Sequence, residues 1–178
     1  MFANSAHSRV VLINPARTAP GETAAERGRR RRDGLLLLPI AHELFGVETL
    51  ALGEYGALNV CETLERCTTV LDIKACSLWR DPQLATLLAA SDTGVVFLGG
   101  AWLEEDIFIA ALEAAGLGYD VRVLADISVA RSEDDRSLMF DRFALHGILT
   151  MTVRQALLEW SACRGDPELQ ERVHQLLS

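Results

Sequence analysis

The sequence predicts an α/β fold in which a mostly parallel sheet is covered by helices on both faces. Three short aliphatic runs, at residues 9–13, 94–98 and 121–124, are bounded by glycine or polar residues, as is typical of buried strands. Segments with helical spacing lie between such runs, and this alternation indicates a parallel sheet. With 178 residues, of which 49% are hydrophobic, the chain fits a single domain over residues 1–178.

Weaker patterns complete the element order. Further strand candidates lie at residues 48–52, 69–73 and 148–151, which makes six strands in all. The predicted helices span residues 34–45, 82–90, 103–116, 133–146, 153–163 and 167–177. Asp81-Pro82 and Asp166-Pro167 each place a capping carboxylate before a proline, which fits the first turn of a helix.

Residues 18–32 are predicted to form a mobile loop. A polar stretch over residues 18–26 shows no periodicity, and a basic run from Arg27 to Arg32 follows it. One interpretation is a solvated loop that leads into the next helix. The other is a lid that brings positive charge over an acidic ligand, because loops after the first strand of such sheets border the binding crevice.

The composition excludes several classes of partner. A net charge of -8 and a pI near 5.0 argue against a nucleic-acid partner, which requires a concentrated basic face. No apolar run approaches the roughly 18 residues that span a bilayer, so we expect no membrane partner. The four cysteines are scattered and fit reduced thiols in a cytoplasmic protein.

Motifs for metals and cofactors are also absent from the sequence. The four histidines lie far apart and show no ligand spacing, so we expect no metal site. Gly99-Gly100 leads into Ala101 and Trp102 and not into a glycine-rich turn, which argues against a dinucleotide. We therefore expect no cofactor.

Residues 94–132, GVVFLGGAWLEEDIFIAALEAAGLGYDVRVLADISVARS, resemble the core of the isochorismatase-like cysteine hydrolases. That family carries a hydrophobic strand, a Trp-x-Glu-x-Cys type turn, an alanine-rich helix, a Gly-Tyr-x-Val corner and a strand ending in Asp-Ala. The matching positions are Gly100, Trp102, Glu104, Ala110, Gly118, Tyr119, Val121, Val123 and Asp126. The resemblance implies a three-layer α/β/α sandwich, Rossmann-like, with a pocket at the carboxyl ends of the first, third and fourth strands.

The resemblance also implies positions for the family's Asp, Lys and Cys triad. Asp106 stands where the nucleophilic cysteine begins a helix, Asn14 stands where the general-base aspartate ends the first strand, and Lys74 matches the lysine. An amide cannot take a proton at neutral pH, so Asn14 cannot replace the base. The triad positions are therefore degenerate, and thiol chemistry is not expected.

Asp106 and Lys74 leave two interpretations open. If the two side chains are close, they form an ion pair that is structurally satisfactory without any reaction. Alternatively, Asp106 serves as a general acid, a general base or a carboxylate nucleophile, with N–H groups of the helix start as oxyanion donors.

Three further residues are predicted to bind substrate. Trp102 and Trp79 can line the pocket, although core packing explains both equally well. Glu104 stands with Glu105 beside Asp106 at a helix start, where carboxylates complement the helix dipole. Crowding of these like charges offers a second interpretation, a proton donor with a raised pKa.

These residues favour a hydrolase relative that has lost cysteine-dependent activity and keeps a pocket for a small molecule. One alternative is a pseudoenzyme that acts as an oligomeric scaffold or as the partner of an active paralogue. Another is a hydrolase that uses carboxylate chemistry at Asp106. Whether the chain is an enzyme stays open here, and we expect a homo-oligomer because relatives commonly form one.

Overall fold

The structure, a computed structural model, describes residues 2–19, 26–55, 62–73 and 75–178. Within these residues, one sheet of six parallel strands has the order β3-β2-β1-β4-β5-β6. The strands are β1 (Ser8–Ile13), β2 (Glu48–Leu52), β3 (Thr68–Leu71), β4 (Val95–Ala101), β5 (Asp120–Val129) and β6 (Leu149–Met151). The predicted α/β class is confirmed, and the sheet is parallel throughout.

Helices cover both faces of the sheet. They are α1 (Glu26–Phe45), α2 (Glu62–Arg66), α3 (Pro82–Ala90), α4 (Phe108–Gly116), α5 (Arg136–Leu145), α6 (Val153–Arg164) and α7 (Pro167–Leu176). Val11 and Ile13 of β1 enter a buried cluster with α3, α4 and α5, whereas Val10 and Leu12 enter a second cluster with α1, α6 and α7. This alternation along a strand produces the three predicted layers.

The predicted helix caps are present. The Asp81 carboxylate accepts a hydrogen bond from the Gln83 N–H at 2.8 Å, before Pro82 in the first turn of α3. Asp166 caps α7 in the same way through the Glu168 N–H at 3.0 Å. These caps satisfy N–H groups that have no partner within the helix.

The largest departure from the sequence prediction concerns residues 26–32, which are helical and not a loop. Helix α1 begins at Glu26, and residues 20–25 of the predicted loop lie outside the described residues. Arginine is a good helix former, and Arg31 is buried where it donates to the Pro15 and Arg17 carbonyl oxygens at 2.7 and 3.1 Å. These hydrogen bonds stabilise the first turns of α1, where the sequence has no apolar periodicity.

Other boundaries differ by shorter spans. The segment predicted as one helix over residues 103–116 begins with a π-helical turn, Leu103–Ile107, before α4. Helix α5 begins three residues later than predicted, and β5 is longer than predicted at ten residues. No helix in the described part of the chain is both long and apolar enough to cross a membrane.

Candidate functional site

Strands β1 and β4 are neighbours, and the ends of both lie beside residues predicted for the site. Ile13 of β1 pairs with Gly100 of β4. Gly100 has a φ of 116°, and a Cβ there would lie 1.9 Å from the Ile13 carbonyl oxygen. Glycine therefore lets the two strand ends approach each other. Asn14 follows β1 directly, and Asp106 lies in the π-helical turn after β4, so the parallel topology brings both to one edge.

Asn14 is held rigidly at this edge. It is 3% exposed and adopts a φ of 47°, a left-handed conformation that asparagine tolerates better than most residues. Its N–H donates to the Leu52 carbonyl, and its Oδ1 accepts from the Glu54 N–H, both at 2.9 Å. A Cβ at Gly53 would lie 2.1 Å from that Oδ1, so the close approach requires glycine. These contacts fix the direction of the Asn14 amide nitrogen.

The Asn14 amide nitrogen points to Asp106. Asn14 Nδ2 donates to Asp106 Oδ2 at 2.7 Å, and a guanidinium nitrogen of Arg17 donates to the same oxygen at 3.0 Å. The Asp106 side chain is 27% exposed, so solvent screens this pair only partly. Asp106 therefore acts as the acceptor in an amide and ion-pair cluster.

Arg17 is kept in this position by Glu54. A second guanidinium nitrogen of Arg17 lies 2.6 Å from Glu54 Oε1. This hydrogen bond raises the pKa of Arg17, and it lowers the pKa of the Glu54 carboxyl. The sequence does not reveal either residue as part of the site. Asn14, Arg17, Glu54 and Asp106 form one cluster, which we call the carboxylate corner.

The two glutamates beside Asp106 turn to other partners. Glu104 accepts hydrogen bonds from the Arg131 and Ser132 N–H groups at 3.0 and 3.1 Å, which anchors the segment after β5. Glu105 pairs with the Arg131 guanidinium at 2.9 Å. Main-chain N–H groups therefore bind the Glu104 carboxylate, and a guanidinium binds the Glu105 carboxylate.

The two predicted pocket tryptophans lie apart. Trp102 immediately precedes the π-helical turn, and the Arg131 guanidinium stands 5.0 Å from its ring centre. Trp79 donates to the Ala110 carbonyl at 2.8 Å and packs 5.7 Å from the Tyr119 ring, next to the amino end of β5. The corner lies at the carboxyl ends of β1 and β4, so Trp102 is at the same edge of the sheet as Asp106, whereas Trp79 packs elsewhere.

Lys74 lies outside the described residues, so its predicted place beside Asp106 stays a prediction. The described part of the chain contains no group of three His, Cys, Asp or Glu side chains that would hold a metal ion.

A second polar region lies at the same edge of the sheet. A cavity of about 670 Å³ opens beside the carboxyl end of β5, between the first turns of α1 and α5. Its lining contains arginines of both helices, and we call it the arginine cavity. It adjoins the fifth strand, whereas the resemblance implies a pocket at the first, third and fourth strands.

Sequence comparisons identify no relative: no protein-family model matches the chain, and no curated protein matches it. Solved structures do match. The MAR1 ribonuclease from Caenorhabditis elegans superposes with a TM-score of 0.77 at 18% identity, covering 99% of this chain and 92% of that one. The octameric hydrolase YcaC from Escherichia coli, of unknown specificity, gives 0.73 at 17% identity, covering 97% and 89%.

An isochorismatase family protein from Desulfovibrio vulgaris gives a TM-score of 0.66 at 17% identity, covering 83% of this chain and 94% of that one. Identities this low show the fold alone. The fold is isochorismatase-like, as the resemblance over residues 94–132 predicts, and the activity must be argued from the site.

Proposed function

We propose that this chain is an isochorismatase-fold protein that has lost thiol-dependent hydrolysis and keeps a pocket for a small molecule. The observation that carries the proposal is the pair of hydrogen bonds that Asp106 Oδ2 accepts from Asn14 and Arg17. Asp106 stands where the resemblance places the nucleophilic cysteine, and these donors make it a structural acceptor.

The residues of the corner are unsuited to the roles of nucleophile and general base in the family's reaction. A carboxylate engaged by an amide and a guanidinium is a weak nucleophile, because both donors stabilise its charge in the ground state. Asn14 cannot accept a proton in place of the missing aspartate. Glu54 holds the Arg17 guanidinium next to Asp106, so the guanidinium also fills space beside the Asp106 carboxylate. In this proposal, Lys74 adds a further cation to an already paired carboxylate.

The test is a hydrolase screen that restores the family's residues. Wild type, Asp106→Asn and the double variant Asn14→Asp, Asp106→Cys are compared on amides, ureido compounds and isochorismate. A triple variant that adds Arg17→Ala removes the cation that could pair with the new aspartate. We expect turnover only in the restored variants.

Turnover by the wild type that Asp106→Asn abolishes would contradict the proposal and favour carboxylate catalysis at Asp106. Silence in every folded variant would count against a former hydrolase site at the corner. It would favour the second candidate function, which is assembly.

Exposed apolar side chains favour assembly as that second candidate. Leu138 and Leu145 of α5 are 57% and 85% exposed, and Leu149 of the edge strand β6 is 55% exposed. Exposed leucines on neighbouring elements are typical of protein interfaces. The E. coli protein YcaC is described as octameric. We therefore propose a homo-oligomer, and light scattering of wild type against Leu145→Glu tests it.

We also propose a cytoplasmic location. Cys163 is a free thiol in the described residues, which fits a reducing compartment.

A further inference from the structure

The arginine cavity concentrates positive charge in an acidic protein. Its lining includes Arg27, Arg30 and Arg31 of α1 and Arg136 of α5. Among the described lining residues, Glu26, Asp126 and Glu133 supply the carboxyl groups, three against the four arginines, whereas the whole chain carries a net charge of -8. The volume of about 670 Å³ is in the range of small-molecule pockets.

Helical spacing decides which arginines of α1 line the cavity. Arg27, Arg30 and Arg31 are separated by three and four positions and share one face of the helix. Arg29 and Arg32 belong to the same basic run but are not part of the lining, and both are exposed. Arg29 and Arg32 therefore match the lining arginines in charge and in helix but lie off the cavity.

Two of the lining arginines are fixed by main-chain oxygens. Arg136 donates to the Ser128 carbonyl at 2.9 Å and to the Ala125 carbonyl, both in the carboxyl half of β5. Arg31 is buried and donates to the Pro15 and Arg17 carbonyls. Arg136 also lies 3.7 Å from Glu133, the same carboxylate that Arg27 contacts. The positions of these two cations are therefore set before any ligand arrives.

The other two arginines are exposed, and each pairs with a glutamate. Arg27 lies 2.8 Å from Glu133, and Arg30 pairs with Glu26 one turn away on α1. Arg27 and Arg30 are 56% and 71% exposed. The Arg30–Glu26 pair is exposed on both sides and weak, and Glu133 is 28% exposed and within reach of solvent, so an anion with several oxygens can exchange with both glutamates.

We propose that the arginine cavity binds a small anion with a carboxylate or phosphate group, contacted by Arg27, Arg30 and Arg136. Guanidinium groups suit such anions because their planar N–H donors match two oxygens at once. Phe140 also lines the cavity, with the Arg136 guanidinium 5.1 Å from its ring centre, and gives an apolar wall for the body of an organic ligand. This inference goes beyond the proposed function, because the cavity adjoins β5 and not the strand ends beside Asp106.

The test is calorimetric titration of the full chain at constant ionic strength with two probes, inorganic phosphate and phthalate. We expect at least one probe to bind with a Kd below about 1 mM. Arg27→Gln, Arg30→Gln should weaken that binding by about tenfold or more, because it removes two of the charged donors. The matched control, Arg29→Gln, Arg32→Gln, makes the same charge change on the same helix and should alter the Kd less than about twofold.

Tighter binding of phosphate would identify a phosphoryl ligand, and tighter binding of phthalate would identify an organic carboxylate. Equal losses in the two double variants, with both folded by circular dichroism, would overturn the inference. So would the failure of both probes to bind wild type at about 10 mM. Neither failure depends on Asp106, so the hydrolase screen still tests the loss of catalysis separately.

Discussion

The carboxylate corner and the arginine cavity lie at the same edge of the sheet, yet their polar groups are arranged in opposite ways. In the corner, the Asp106 carboxylate, the Asn14 amide and the Arg17 guanidinium bind one another directly. In the cavity, Arg31 and Arg136 are held by main-chain carbonyl oxygens, and arginines outnumber carboxyl groups. The corner is closed by its own side chains, whereas Arg27 and Arg30 of the cavity are exposed, and a ligand can exchange with their glutamate partners.

This difference separates two properties of the fold. The position that carries the nucleophile in the family it resembles has become part of a structural cluster. The proposed anion site lies at the carboxyl end of β5, farther along the same edge. We infer that one edge of the sheet can carry both a site that has lost catalysis, at Asp106, and a separate binding site, at the end of β5. Substitutions in the corner and beside the cavity test this difference, and Gly53→Ala should have the largest effect on stability.

Gly53→Ala should break the corner most severely. The new Cβ would lie 2.1 Å from Asn14 Oδ1, and Gly53 has a φ of 76°. We expect a loss of about 3 kcal/mol in the free energy of unfolding, measured with urea. Gly46→Ala is the control, because Gly46 has a φ of 69° and a Cβ added there would meet nothing within 4 Å, so only about 1 kcal/mol should be lost. Equal losses would mean that the Asn14 amide is not held rigidly.

Asp106→Ala should destabilise the protein by about 2 kcal/mol, because it leaves the buried Asn14 amide nitrogen without its acceptor. Its neighbour Glu105 is exposed and pairs with the exposed Arg131 guanidinium, so Glu105→Ala should cost less than about 0.5 kcal/mol. Urea unfolding of both variants measures the difference. A neutral Asp106→Ala would show that the corner contributes nothing to the fold.

Arg17→Gln should lower the Tm slightly, and the effect should shrink as salt is added. Its pH dependence follows from Glu54. Because Arg17 lowers the pKa of Glu54 in the folded state, the contribution of the pair is complete above the unfolded pKa of a glutamate, about 4.3. It is lost as the pH falls through the folded pKa. The difference in Tm between wild type and Arg17→Gln should therefore persist at neutral pH and disappear in acid.

Asp126→Asn should have the smallest effect and the opposite sign, and it concerns the cavity. Burial raises the pKa of Asp126, although the Val153 N–H opposes this. A raised pKa contributes stability that is complete below the unfolded pKa of an aspartate, about 3.9, and is lost as the pH rises through the folded value. Asparagine keeps an oxygen for the Val153 N–H and removes that loss. The Tm at pH 8 should rise slightly in Asp126→Asn, with no change in the exposed control Asp134→Asn.

The sequence predicts the strands and helices that carry both regions better than it predicts the side-chain contacts within them. Hydrophobic runs and helix caps give the six strands and the three layers, and adjacency of β1 and β4 brings Asn14 to Asp106. Arg17 and Glu54 escape prediction because their meeting depends on the left-handed conformations of Asn14 and Gly53. Asparagine and glycine permit those dihedral angles, but neither the residue type nor its neighbours in the sequence requires them.

The arginine cavity escapes prediction for a different reason. Residues 27–32 lack apolar periodicity, which predicts a loop, although α1 includes them. Helix formation there depends on Arg31 reaching carbonyl groups at the end of β1, which is a tertiary contact. Arg136, which completes the cavity, comes from a distant helix, and the acidic composition of the whole chain conceals this local excess of positive charge.

The most direct test of the contrast between corner and cavity is a crystal structure of the wild-type chain soaked in phthalate. We predict electron density for the ligand between Arg27, Arg30 and Arg136, while Arg17 still contacts Asp106. An empty arginine cavity together with a ligand at Asp106, and Arg17 displaced from the carboxylate, would contradict that contrast. Such a result would show that the corner, and not the cavity, is the open site.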